Sequence, residues 1–82
     1  MKRWCYIESE RIESPAVIEA FLDEIEEISK EYGLSISHED SHGGFIIERY
    51  DNYDIKWLRE CNIDISKEDL EKINLEYFIR TE

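Results

Sequence analysis

Proline occurs once, at Pro15, glycine three times and cysteine twice in 82 residues. With so few chain breakers there is no Pro/Gly/Ser-rich linker, no internal repeat and no low-complexity tract to divide the chain. One domain over 1–82 is expected, because a chain this short has room for one core and buries only ~60% of its unfolded surface. Cys5 and Cys61 lie far apart in sequence, and two thiols in such a chain read as small buried hydrophobes in a reducing cytoplasm more than as a bridge. No apolar run follows Lys2 and Arg3, which excludes a signal peptide or membrane span from the expectation. Basic residues are also scarce. Ten bases against 21 acids leave a formal net charge of -11, which repels phosphate, argues against direct nucleic acid binding and suits basic partners.

Catalytic signatures are missing as well. There is no Gly-x-Ser-x-Gly elbow, no phosphate-cradling glycine loop and no cysteine beside a histidine, so neither an enzyme nor a cofactor is expected.

What is present is strong periodicity. Ser14 and Pro15 read as an N-cap followed by proline at the first helical position. Ile18, Phe21, Leu22, Ile25, Ile28 and Tyr32 then recur at helical spacing, and Gly33 suits the left-handed residue that ends a helix. The pattern predicts a long amphipathic helix over 14–32. Before it, RWCYIES is rich in aromatic and β-branched residues and predicts a strand. After it, LSISH and GFIIERY predict an antiparallel hairpin around EDSHGG, with Leu34, Ile36, Phe45 and Ile47 pinning the strands and Gly43 and Gly44 at positive φ.

Asp51 or Asn52 caps a short helix to about Cys61 bearing Ile55, Trp57 and Leu58. NIDI reads as a brief extended connector, and SKED is a capping box opening a last helix with Leu70, Ile73, Tyr77 and Phe78 facing inward. The expected fold class is α+β, in the order β-α-β-β-α-α. A small antiparallel sheet of about three strands packs on the long helix, with two shorter C-terminal helices. A chain this small often gains stability by association, so a homodimer is among the expected states.

Three groups of residues are candidates for function. Glu19, Asp23, Glu26 and Glu27 form an acidic helical face able to imitate the charge array of a nucleic acid backbone, against the plainer reading of a solvated face. Tyr50, Asp51, Tyr53, Asp54 and Trp57 make an aromatic patch rimmed by carboxylates, suited to an arginine-rich surface unless Trp57 plugs the core. His38, Glu39, Asp40, His42 and Gly43 crowd one turn. Imidazole with carboxylate suits a metal or small ligand, but the spacing argues for a hydrogen-bonded turn, and no metal is expected.

The run YGLSISHEDSHGGFIIERYDNYDIKWLREC, Tyr32 to Cys61, resembles short proteins encoded by phages and prophages of Gram-positive bacteria. Their shared stretch is GLSISHED, a small residue, HG, a small residue and FII, followed by an acidic-aromatic segment and WL. The resemblance implies a phage origin and carries over no catalytic residue. Small acidic phage proteins often resemble inhibitors of host machinery, anti-CRISPR and other counter-defence factors among them. The expected function is therefore inhibition of a host protein, such as a nucleic-acid-binding defence complex, in the cytoplasm of an infected bacterium. The alternative is a small-ligand or metal-binding domain centred on the His38–His42 turn.

Overall fold

The computed structural model describes residues 1–81. The elements are β1 (Lys2–Cys5), β2 (Glu10–Glu13), α1 (Ala16–Tyr32), β3 (Leu34–His38), β4 (Phe45–Arg49), α2 (Asn52–Arg59) and α3 (Lys67–Thr81). The fold is α+β, and the long helix is followed by two shorter ones. The strands form two separate antiparallel pairs, β1–β2 and β3–β4, where a single sheet of about three was expected.

The additional strand, β2, follows a four-residue turn, Tyr6–Ser9, in which Ser9 takes φ 52°. No glycine or asparagine announces that turn. Serine accepts the left-handed conformation at a cost of roughly 1–2 kcal/mol, and the ladder from Lys2↔Glu13 to Cys5↔Glu10 holds it there. The described residues divide into two compact units, 1–21 with 61–81 and 22–60.

In the first unit Cys5, Ile12, Ile63 and Leu70 form the core, with Ile18 and Ile65 against it. The NIDI connector is extended, as expected. Ile63 lies parallel to β1, accepting from Tyr6 N at 2.9 Å and donating to Trp4 O at 2.8 Å. Ser66 caps α3, its hydroxyl accepting from Asp69 N at 3.2 Å. Glu8, in the β1–β2 turn, accepts from Lys67 N at 3.1 Å, so the turn satisfies an orphan donor of that helix end.

Ser14 does not cap α1. Its hydroxyl donates to Glu19 Oε2 at 2.6 Å and accepts from Arg3 Nε at 3.1 Å. Asn74 on α3 takes over the cap, accepting from Val17 N at 2.9 Å. Arg3 is the buried centre of this arrangement: its guanidinium donates to Glu19 Oε2 at 2.9 Å and to Cys61 O at 3.1 Å.

In the second unit Gly33, at φ 70°, ends α1 as expected, and its carbonyl accepts from Tyr50 N. Asp51 caps α2 through Tyr53 N at 2.8 Å. Of the large apolar side chains here, only Leu22 and Ile55 are buried. Phe21, at the end of the first unit's share of α1, is exposed; so are Ile28, Tyr32, Leu34, Phe45 and Ile47. The hairpin is therefore pinned by its backbone ladder and half-buried Ile36, and the apolar pairs expected to pin it stand in solvent. On α3, Leu70 faces inward and Tyr77 is half-buried, but Ile73 and Phe78 are exposed. The helical period is right in both helices; it marks an apolar face that is only partly covered.

Candidate functional site

The acidic face of α1 separates into paired and unpaired carboxylates. Glu19 is held by Arg3 and Ser14. Asp23 Oδ1 lies 2.6 Å from Arg59 Nη2, and Glu26 lies between Arg59 at 3.5 Å and Lys30 at 2.9 Å. The hydrogen bond to Glu26 and its charge raise the Lys30 pKa above the usual ammonium value.

Glu27 alone of the four expected residues has no ion pair among the described residues, and the same holds for Glu24 and Glu31. These three occupy one helical face at i, i+3 and i+7, and with Ile28 they line an open concavity of about 250 Å³. Like charges at that spacing cost helix stability, so the row persists without compensation inside the chain. The sequence signal existed: 24, 27 and 31 share a face, but apart from Lys30, which is local to Glu26, the cations that pair with 19, 23 and 26 come from distant residues.

The aromatic and acidic group around α2 is likewise divided. Tyr53 is 82% exposed and Tyr50 half-buried. Trp57 is partly covered by His38, their ring centroids 4.6 Å apart and their planes at 30°. Asp51 is committed to the helix cap. Asp54 Oδ2 accepts from the hydroxyl of buried Ser35 at 2.6 Å, and that hydroxyl accepts from Asp51 N at 3.2 Å. Beside them Glu48 is raised above the usual carboxylate range, first by its hydrogen bond with Asp54 and the Asp54 charge, and to a smaller degree by Asp51. Ser35 thus links the Asp54 carboxylate to the Asp51 backbone, and Glu48 bonds to the same Asp54.

The His38–His42 turn is internally paired. His38 Nδ1 lies 3.1 Å from Asp40 Oδ1, and His42 Nδ1 lies 2.9 Å from Glu39 Oε1. Glu39 N donates to Gly44 O, and Gly43 N to Glu39 O. Gly43 takes φ 70°, whereas Gly44 does not need a positive φ. Each imidazole therefore has its own carboxylate, which accounts for the pairing of residue types in HEDSH. Such exposed pairs contribute at most ~1 kcal/mol. Among the described residues, no three His, Cys, Asp or Glu side chains converge as a metal-ligand set.

One surface was not anticipated. Every residue of β4 is exposed, Phe45 at 73%, Ile46 at 40% and Ile47 at 63%. Ile47 also lines an apolar cavity of about 200 Å³ with Ile28, Tyr32, Leu34 and Ile36. Alternation along β4 signalled one apolar side, but Ile46 puts an apolar residue on the other side too.

None of the described helices is long and apolar enough to cross a membrane. No protein-family model, curated protein or solved structure matches the chain.

Proposed function

We propose that this chain is a non-enzymatic interaction protein that inhibits a host protein by occluding a basic, nucleic-acid-binding surface. The observation that carries the reading is the unneutralised row Glu24, Glu27 and Glu31 around Ile28 on α1. Three carboxylates converging on an open concavity offer a seat for a partner's arginine or lysine, and Ile28 offers apolar contact to its stem. Tyr53, standing almost free on α2, supplies an aromatic of the type that anchors interfaces. A net charge of -11 would steer a basic partner in and keep nucleic acid out. The resemblance of Tyr32–Cys61 to phage proteins points to bacterial defence complexes as the class of host target.

An oligo-arginine peptide, followed by fluorescence anisotropy, tests the row. Reversing Glu24, Glu27 and Glu31 together to lysine should weaken binding at least roughly tenfold at low salt. The same net change placed at exposed Asp64, Glu71 and Glu76 should weaken it much less. Equal losses in the two variants would reduce the row to bulk charge and remove it as a site. Inhibition itself is read by whether a host protein captured through the intact row loses its own nucleic acid binding.

A further inference from the structure

Charge is unevenly spread along this chain. Residues 32–38 and 41–47 contain no Asp, Glu, Lys or Arg, although the whole chain carries 31 such residues. These two runs are β3 and most of β4 with their approaches. The most apolar and most exposed strand therefore lies where an otherwise strongly acidic molecule is locally neutral.

The free edge of β4 is defined by its ladder with β3. Tyr50 N donates to Gly33 O, and Glu39 N donates to Gly44 O. Bonded and non-bonded pairs alternate in an antiparallel ladder, so Ser35↔Glu48 and Ser37↔Ile46 are the bonded pairs between these ends. Phe45 and Ile47 must then direct both N–H and C=O away from β3, and Arg49 its N–H, while the Arg49 carbonyl accepts weakly from Ser35 Oγ at 3.4 Å. No further strand pairs with β4 among the described residues. A two-stranded hairpin is marginal alone, and an open, flat, apolar edge is a template for pairing.

We infer that β4 pairs antiparallel with β4 of a second copy, about a twofold axis at Ile46, to form a four-stranded sheet. In this register Phe45 faces the second copy's Ile47 and Ile47 its Phe45, so the four outward backbone groups of each copy's Phe45 and Ile47 are satisfied. The two Ile46 side chains meet on the axis, where the non-bonded pair brings strands closest. Glu48 and Arg49 fall opposite Gly44 and Gly43 of the other copy, and no charge meets a charge. Moving the axis to Glu48 would set two carboxylates face to face.

The absence of charge also selects the occupant. A basic partner gains nothing from this strip, whereas a second copy, repelled elsewhere by its net charge of -11, is not repelled here. The strand is self-complementary under the symmetry that dimers use. Phe45, Ile46 and Ile47 would bury of order 300 Å² per copy, about 600 Å² in total and below the span of stable specific interfaces, so the dimer is a weak, reversible one.

Sedimentation velocity on the full chain, from roughly 1 to 200 µM protein in screening salt, should show a closed monomer–dimer equilibrium. Ile46→Glu and Ile46→Lys should each raise the dissociation constant at least roughly tenfold with unchanged far-UV circular dichroism, and mixing the two variants should restore dimers. Should either variant fail to fold, Ile46→Cys serves instead: under mild oxidant it should form a covalent dimer that the wild type, with only Cys5 and Cys61, does not form. A wild type monomeric throughout, open-ended association, charge variants that still dimerise, a mixture that stays monomeric, or no Ile46→Cys crosslink would each overturn the inference. These results are independent of oligo-arginine binding, because β4 and the Glu24–Glu31 row share no residue.

Discussion

Replacing Glu19 by alanine tests what organises the first unit. The Arg3 side chain is 1% exposed and that of Glu19 33%. Removing the carboxylate leaves a guanidinium in the interior, with Ser14 Oγ and the Cys61 carbonyl, both neutral acceptors, among its retained partners. Breaking a buried ion pair by deleting one partner costs about 3–5 kcal/mol. The retained acceptors and the partial exposure of Glu19 place this case near the bottom of that range, about 3 kcal/mol. At roughly 0.05–0.15 kcal/mol per residue, a chain this long has about 4–12 kcal/mol in total, so the change removes a large share. In a thermal melt it corresponds to a loss of roughly 12–24 °C, at 4–8 °C per kcal/mol. Urea titrations of wild type, Glu19→Gln and Glu19→Ala provide the equilibrium value, with the glutamine intermediate because it keeps an acceptor without the charge. Because buried pairs are poorly screened, the loss should persist in high salt. A cost below about 0.5 kcal/mol, or one that disappears in high salt, would mean that the pair behaves as a surface bridge and would refute the buried-pair account.

Ser35→Ala removes a buried hydroxyl that bridges Asp54 and the Asp51 amide; about 1–3 kcal/mol should be lost in a urea titration. For Glu48 the folded-state pKa is raised, so its favourable contribution is present at low pH and is lost as pH rises through the folded-state value. Glu48→Gln should therefore raise the melting temperature at neutral pH, and the gain should vanish as pH falls below the ordinary carboxylate range; a gain equal at both pH values would contradict the assignment. Arg59→Ala removes a partner of Asp23 and one of the two cations beside Glu26 on α1. It should cost no more than ~1 kcal/mol in stability while strengthening oligo-arginine binding, which anisotropy would detect.

Several features could be read along the chain. The length of α1, its end at Gly33, the Asp51 and Ser66 caps, the hairpin between Leu34 and Arg49 and the extended NIDI connector all follow from local rules. Each depends on residues within a few positions of one another, where backbone geometry and hydrogen bonding are decided by near neighbours. The Tyr6–Ser9 turn escaped because serine at positive φ leaves no compositional mark. Asn74 capping α1 escaped because its partner lies 57 residues away.

The candidate site followed the same division. Sequence alone established that α1 has an acidic face, that aromatics gather near α2 and that the residues after Leu34 alternate. It could not decide which acids stay unpaired, because, apart from the local Lys30, the cations that reach Glu19, Asp23 and Glu26 are Arg3 and Arg59, which do so only once the chain is folded. Nor could it show that Phe45, Ile46 and Ile47 lie uncovered. Periodicity records which side of an element is apolar; whether anything packs there depends on elements distant in the chain, and only the tertiary structure left β4 with an open edge.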